Sequence, residues 1–600
     1  MHTMPGMTSS RTLQTAANLH RAGRVVEAEK MCRDVLAQSP DQADAWHLLG
    51  LLEQQTGRAA QAEQSIRRAI HLNPAGANYH CNLALVLAGQ GRMEEALAEL
   101  QTAVKLEPRL SEAHNNIGNL LKERGQLDQA IAAYRSALEA NESNRQAWHN
   151  LGDALRELGR LDESIAAYQR ALAIGATAAT GSSLVFTLNF HPGYDANAVL
   201  QAHRAWDRQF AQPLKPQIRP HDHDRNPDRR LRIGYVSPDF RRHVTAFNLM
   251  PLLREHDRSQ VEVFCYSDVA APDAYTDRIR SYSSCWRDVR LLDDQRLTEL
   301  VRTDRIDILV DTTMHMPRNR LLMFARKPAP VQVTLAYPAT TGLEAMDYRL
   351  TDPFLDPPAC DERGRIGEND QYYSEKTIRL PHSFWCYDPE NEQPAVGSLP
   401  CTSNGFITFG CLNNFMKVNA GVLDLWAATM RAAPESRLLL LCRQGSARQD
   451  AGTYPAGRGI TSDRVEFVDY LPREQYLEVY NRIDVGLDTF PYSGHTTSLD
   501  SFWMGVPVVT LVRGPAAGRA GWSQLSNLEL SELAAHTEEQ FVQIATELAS
   551  NRDRLASLRA SLRDRMKRSS IMDAKGYARG VEAAYRTMWR TWATAVQQSR

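Results

Sequence analysis

No C-x-x-C pair occurs among the nine scattered cysteines of this 600-residue chain. That absence argues against a zinc ribbon or a disulfide framework and for reduced thiols. Neither sign of charge dominates. The 69 Lys and Arg oppose 71 Asp and Glu, so no global basic field points to nucleic acid. No apolar run approaches the ~20 residues that a membrane-spanning helix needs. The opening "MHTMPGMTSSR" lacks the apolar core of a secretory signal. The expectation is a cytoplasmic protein with no nucleic-acid or membrane partner. The length exceeds what one hydrophobic core supports and predicts about three or four domains.

What is present begins with a period. Gly23, Gly57, Gly91, Gly125 and Gly159 stand 34 residues apart, as do Pro40, Pro74 and Pro108. Small residues recur at Ala28, Ala62, Ala96, Ala130 and Ser164 in the same register. A 34-residue period of this kind is the tetratricopeptide signature, one helix–turn–helix per repeat. Small residues let paired helices approach, glycine ends the first helix, and proline blocks continuation into the next repeat. The stack forms a superhelix with a concave binding face. Asn82, Asn116 and Asn150 share one repeat position. An amide offers both donor and acceptor, so these three are candidates for clamping the backbone of an extended polypeptide. The plainer alternative is solvated asparagine tolerated there.

After about residue 176 the repeat fades. "SSLVFTLNFHP" and "VLQAHRAWDRQFAQPL" read as amphipathic helices that cap the solenoid. "KPQIRPHDHDRNPDRR" is a linker by composition. Its His221-Asp222-His223-Asp224 has the residue types of a metal site. No strand precedes it and prolines flank it, so a solvated linker is the preferred reading. From Leu231 the texture changes. Apolar strands such as "LRIGYVSPDF", "VEVFCYSD" and "RIDILVDTT" alternate with helices, and the pattern restarts near residue 400 with "FITFGCLN", "SRLLLLCR" and "DVGLDTF". Alternation of this kind predicts parallel sheets covered on both faces. Two series predict two Rossmann-like lobes, with ligands beyond the carboxyl ends of the strands.

That geometry directs attention to "DTFPYSGHTTSLD". His495, Thr496 and Thr497 follow a strand and open a helix, where free N–H groups and the helix dipole favour an anion. Asp500 lies one turn on and can accept hydrogen bonds from a ribose. Too few glycines are present for a Walker loop or G-x-G-x-x-G. A simple threonine N-cap is the alternative.

Taken together, the repeats followed by "RIGYVSPDFRRH", "FARKPAPVQVTLAYPATTGLEAMDYRLTD", "YSEKTIRLPHSF", "FGCLNNFMKV" and "DTFPYSGHTTSLDSFWMGVPVVT" resemble the O-linked N-acetylglucosamine transferase family, in its bacterial form, together with the plant Spindly proteins. The resemblance covers nearly the whole chain, in order. It implies an α-solenoid followed by an α/β GT-B fold, and an inverting transferase that needs no metal. The implied reaction moves N-acetylglucosamine from UDP-GlcNAc to Ser or Thr of protein acceptors. The implied layout is repeats over 1–185, cap and linker over 186–229, an acceptor-side N-lobe over 230–395, a nucleotide-sugar C-lobe over 396–575 and a C-terminal helix over 576–600. It assigns Lys417 and His495-Thr496-Thr497 to the donor diphosphate, Asn414 to the donor and Asp500 to the ribose. Arg473, Leu471 and Tyr476 fall to the nucleoside and base. His243, Asp311 and His315 fall near the reacting centre.

The chemistry agrees with these positions. Cleaving the sugar–phosphate bond leaves new negative charge, which Lys417 and the helix mouth would stabilise. His243, Asp311, His315 or a donor phosphate oxygen can take the serine proton. Tyr337 and Pro338 either line the donor pocket or shape a turn. Departures from the family pattern are Met314 and Met316 around His315, which would narrow the acceptor cleft, and Ala336 and Ala339 where glycine is usual. These changes, with the Spindly precedent, keep GDP-fucose and UDP-glucose open as donors, and a non-catalytic repeat scaffold remains the reading from another class.

Overall fold

The computed structural model describes residues 5–358, 367–389 and 394–595. It separates into two compact units. One runs to Arg156 and resumes over Asp162–Gly175, and the other takes Glu157–Leu161 and continues from Ala176.

The repeats form ten helices in five pairs, from Pro5–Arg21 to Leu161–Ile174. The five periodic glycines adopt φ between +74° and +80°, the left-handed step that ends the first helix of each pair. The periodic Ala28, Ala62, Ala96, Ala130 and Ser164 are fully buried. A Cβ added at Gly118 would stand 2.4 Å from the Tyr134 ring, so the small residue sets how closely that pair packs.

The second unit holds two parallel sheets. The first contains β1 (Leu231–Ser237), β2 (Val261–Ser267), β3 (Cys285–Asp288), β4 (Ile308–Asp311), β5 (Val331–Thr334), β6 (Tyr348–Thr351) and β7 (Lys376–Arg379), ordered β3-β2-β1-β4-β5-β6-β7. The second contains β8 (Thr408–Cys411), β9 (Arg437–Leu441), β10 (Val465–Val468), β11 (Val485–Leu487), β12 (Val508–Leu511) and β13 (Ala534–Ala535), ordered β10-β9-β8-β11-β12-β13. Both are doubly wound, and each reverses direction once: between β1 and β4, and between β8 and β11.

Four helices each send a residue into the cleft between these sheets: α1 (Ala178–Leu188), α2 (Val244–Glu255), α3 (Thr496–Trp503) and α4 (Ala574–Ala595). The C-terminal helix starts at Ala574 rather than 576, and residues 596–600 lie outside the described residues. It does not stay with the C-lobe. Its Ala578, Val581, Tyr585, Met588 and Trp589 complete the N-lobe core around β1 and α2. Tyr585 and Tyr235 meet through their hydroxyls at 3.1 Å, and Glu582 accepts from His256 at 2.9 Å. The chain thus crosses between lobes twice. The crossings run side by side, the Tyr387 N–H donating to the Ile571 carbonyl at 2.7 Å.

The linker is not fully solvated. His223 packs edge-on against Trp589 and Trp592, while Arg225 and Arg229 lie over the rings of Trp592 and Trp589, at 4.3 and 4.5 Å. Composition shows the prolines and charges but not the aromatic helix that returns to cover the histidines. Asp222 and Asp224 remain exposed. Among the described residues, no group of three or more His, Cys, Asp or Glu is placed to hold a metal ion. None of their helices is long and apolar enough to cross a membrane.

Candidate active site

In a doubly wound sheet the loops after the two strands flanking the reversal diverge and leave a crevice. In the C-lobe these loops follow β8 and β11, and they carry Asn413 to Lys417 and Asp488 to Thr497. Asp488, buried at the end of β11, organises the second loop. It accepts from the backbone N–H of Gly494 at 2.6 Å and of Thr489 at 2.8 Å, and from Thr510 Oγ1 at 2.7 Å. At Gly494 a Cβ would stand 2.1 Å from Ser498 Oγ, so a larger residue there would displace that hydroxyl.

The loop presents a cationic and aromatic wall. Lys417 Nζ donates to the Ser493 carbonyl at 2.8 Å and sits 4.6 Å over the Tyr492 ring. Burial pulls its ammonium down to about 8 against support from Asp488. His495 stacks on the same Tyr492 ring, 4.7 Å away at 28°, with Trp385 edge-on at 5.6 Å. His495 is the N-cap residue of α3, yet its side chain makes no capping bond. Its Nε2 is buried without a partner among the described residues. Burial, then the neighbouring Lys417, holds the imidazole well below its ordinary value. The neutral ring spends its one proton towards the Ala517 carbonyl, so Nε2 becomes a donor only when an anion seated beside the lysine and the helix N-terminus favours a second proton on it.

This wall faces a cavity of about 250 Å³ lined by both lobes and α1. Thr496 and Thr497 line it from the C-lobe, Asn248 and Thr312 from the N-lobe. Asn248 Nδ2 donates to Thr496 Oγ1 across the cleft at 3.3 Å. Tyr337 and Pro338 line the cavity, and Tyr337 buries an unpartnered hydroxyl there. Met316 and Ala336 also line it, whereas Met314 is buried at φ +47° in the turn after β4.

Of the three N-lobe candidates only His243 stays beside this cleft. It caps α2, whose Val244 and Thr245 line the cavity, and its Nδ1 accepts from the Thr245 backbone N–H at 3.2 Å. In the neutral ring that bond places the proton on Nε2, making His243 an N–H donor rather than a base. Burial lowers its affinity for a second proton, against Asp239. Asp311 and His315 depart from the roles expected from sequence. Asp311 is buried and closes its own turn, accepting from Thr313 N, Met314 N and Thr334 Oγ1 at 3.1, 3.0 and 2.9 Å. Burial raises its carboxyl to about 6. His315 lies between His203 and Trp206, with Nδ1 on Ser182 Oγ at 3.0 Å and Nε2 on the Thr341 carbonyl at 2.7 Å. Neither side chain faces the cavity, and both have their polar atoms committed.

The nucleoside candidates gather at the second turn of α3, around Asp500. Asp500 and Arg473 form a bidentate pair at 2.5 Å, and Tyr387 donates to Asp500 at 2.9 Å. The ribose acceptor expected from sequence is therefore engaged by its own neighbours. Tyr476 lies under that guanidinium at 5.6 Å, and its hydroxyl meets Tyr480 at 2.8 Å. Leu471 is exposed. Asn414 spends its side-chain oxygen on the Met416 N–H at 3.1 Å, shaping the turn that carries Lys417. It is a positioning group and does not line the cavity.

In the solenoid, each expected clamp residue bonds to the residue 35 positions earlier. Asn82 meets His47 at 2.8 Å, Asn116 donates to Cys81 at 3.3 Å, and Asn150 donates to Asn115 at 2.9 Å. Asn150 also donates to Asn119 and accepts from Gln146, and is buried. With both amide hydrogens spent, Asn150 ties repeats together. Among the described residues, Asn82 and Asn116 each retain one N–H.

A family model described as Glycosyl transferase family 41 matches residues 211–396 and 398–581. The chain belongs to this family. A Tetratricopeptide repeat model matches residues 18–77, 47–111 and 115–179. A rice protein named probable UDP-N-acetylglucosamine–peptide N-acetylglucosaminyltransferase SPINDLY is 39% identical over 422 residues, 69% of this chain and 44% of its own. A Caenorhabditis elegans UDP-N-acetylglucosamine–peptide N-acetylglucosaminyltransferase is 25% identical over 480 residues, 60% of this chain and 41% of its own. The chain spans less than half the length of these curated relatives. A solved mutant O-GlcNAc transferase of Thermobaculum terrenum is 36% identical with a TM-score of 0.63, covering 99% of this chain and 100% of its own. The solenoid followed by two Rossmann-like lobes is thus the architecture of both the chain and its solved relative.

This family-41 chain also recruits residues that sequence reasoning missed. Tyr492 lies inside the motif "DTFPYSGHTT" and Trp385 directly follows "YSEKTIRLPHSF", both as aromatics with no chemical signature of their own. Phe186 and Phe190 come from α1 and the turn after it, upstream of the family match, and Phe190 stands 4.6 Å from Tyr492. No local signal marks them, because their contact spans some 300 residues of sequence.

Proposed function

We propose that this chain is an inverting glycosyltransferase moving N-acetylglucosamine from UDP-GlcNAc to Ser or Thr hydroxyls of protein acceptors. One observation carries the reading. The C-lobe reversal brings Lys417, His495 and the open N-terminus of α3 to one wall of a cavity between two lobes. A diphosphate seated there gains charge as the sugar leaves, and a buried cation with free donors stabilises that change. The serine oxygen bonds the anomeric carbon as the bond from that carbon to the phosphate oxygen breaks on the opposite face. Asp311 and His315 are committed elsewhere, and His243 holds its Nδ1 in a cap. The geometry therefore favours a donor phosphate oxygen as the acceptor of the serine proton, with His243 Nε2–H as a nearby donor. Arg473, Asp500 and Tyr476 form the nucleoside end, and the repeats present the acceptor, with Asn82 and Asn116 keeping a free N–H each.

The test is turnover and binding of UDP-GlcNAc, GDP-fucose and UDP-glucose by the full chain and by Lys417→Ala. The expected result is preference for UDP-GlcNAc and a loss of at least about 100-fold in kcat for the variant. Binding of none of the three would leave a repeat scaffold. Preference for GDP-fucose would replace the donor while keeping the site.

A further inference from the structure

A second cavity, of about 540 Å³, opens behind the first, in the size range of ligand pockets. The two share Pro338 as a wall. Tyr194, Tyr372 and Pro491 give it apolar sides, and Arg519 lies within it. Ala517, two residues before Arg519, makes a backbone hydrogen bond to His495, so the cavity and the catalytic wall have a segment in common.

Arg519 is the unusual group. It is half-buried, and its Nε donates to the Phe354 carbonyl at 3.0 Å, which fixes the plane of the guanidinium. Among the described residues it makes no other side-chain hydrogen bond and no ion pair. Asp352 and Asp356, the buried carboxylates nearby, are taken, and the exposed Glu368 makes no ion pair with Arg519 among the described residues. Asp356 serves Arg349, Thr351 and Tyr373, and Asp352 serves Ser523 and three backbone N–H groups. The remaining N–H donors of Arg519 therefore have no protein acceptor among the described residues and stand open to an acceptor in the cavity. A planar fork of this kind matches a carboxylate in bidentate geometry. Asp195, Glu368 and Arg513 border the same cavity, and Arg513 is paired with Glu538, so one guanidinium is left over and a single carboxylate matches it better than a polyanion.

We propose that this cavity is a subsite for one carboxylate-bearing residue of the acceptor polypeptide, anchored by Arg519. The identity of the occupant rests on the transferase reading. The carboxylate chemistry of the cavity does not.

The probe is a pair of fluorescent peptides, acetylated and amidated at their ends, with sequences Ala-Ser-Glu-Ser-Ala and Ala-Ser-Gln-Ser-Ala. Anisotropy on the full chain should give a Kd about tenfold tighter for the glutamate peptide, and Arg519→Gln should erase that difference. Equal binding of both peptides, or a preference that survives in Arg519→Gln, overturns the subsite. If Arg519→Gln does not fold, the wild-type comparison alone decides, with Arg519→Lys expected to retain only part of the preference. Inorganic phosphate or acetate displacing the peptide at concentrations near the peptide's Kd would show a small-anion site and overturn the polypeptide occupant. Donor hydrolysis in the same preparation separates the two readings. A chain that hydrolyses UDP-GlcNAc without preferring glutamate overturns only the subsite, and one that prefers glutamate but consumes no donor overturns only the transferase.

Discussion

Lys417 carries its charge inside the protein, and this gives the site a pH signature. Its ammonium is held down to about 8 by burial. A bound diphosphate favours the charged form, so the complex keeps the proton that the free protein loses as pH rises through about 8. Affinity for UDP should be flat below that value and fall above it, approaching tenfold per pH unit. Calorimetry across the range checks this, and Lys417→Met should bind weakly with no slope. An identical slope in the variant would assign the titration to another group. His495 separates a cap from a site. Its side chain caps nothing, so His495→Ala should weaken UDP binding about five- to thirtyfold and leave Tm nearly unchanged. A fall in Tm with unaltered affinity would reverse that conclusion.

At the scale of elements, the wall of the proposed diphosphate site depends on a segment outside the lobes' sheets. Phe190 supports the Tyr492 ring, which carries both Lys417 and His495. Phe190→Ala should weaken UDP binding several-fold through this stack, and Phe190→Trp should restore most of the loss. Affinity indifferent to both substitutions would mean that Tyr492 holds its place unaided. Sequence legibility divides along the same line. Strands with long apolar runs, such as β1 and β2, are plain from pattern, and the solenoid from its period. The four-residue β3, β6 and β7 are not, because charged residues interrupt Cys285–Asp288, Tyr348–Thr351 and Lys376–Arg379, whereas the equally short β4 and β8 sit in apolar runs. The motif residues Lys417, His495, Thr496 and Thr497 converge as expected, since each follows a strand flanking the reversal. The family resemblance assigns Asp311 and His315 to the reacting centre. What sequence cannot show is that Thr334, Ser182 and the Thr341 carbonyl take up their polar atoms.

The whole molecule returns on itself. Because α4 completes the N-lobe core, a chain ending at Asp573 should lose the N-lobe's cooperative melting transition while the repeats remain helical. Circular dichroism and calorimetry would check it, and an intact two-lobe transition in the truncated chain would contradict the role given to α4. The paired crossings at Tyr387 and Ile571 have a mechanical consequence. Two strands of chain hydrogen-bonded side by side form one line about which a lobe can turn, and such a turn strains the other interlobe bonds, from Ser523 to Asp352 and from Arg519 to the Phe354 carbonyl. The lever arm then grades the site. The C-terminal half of α3 lies at the pivot, held by the bond from Tyr387 to Asp500 and with the Trp503 ring 6.1 Å from that of Tyr387. The N-terminus of α3 and its contact with Asn248 lie further out. A small swing would part Asn248 from Thr496 while scarcely moving Asp500, so the nucleoside end stays assembled as the sugar end opens.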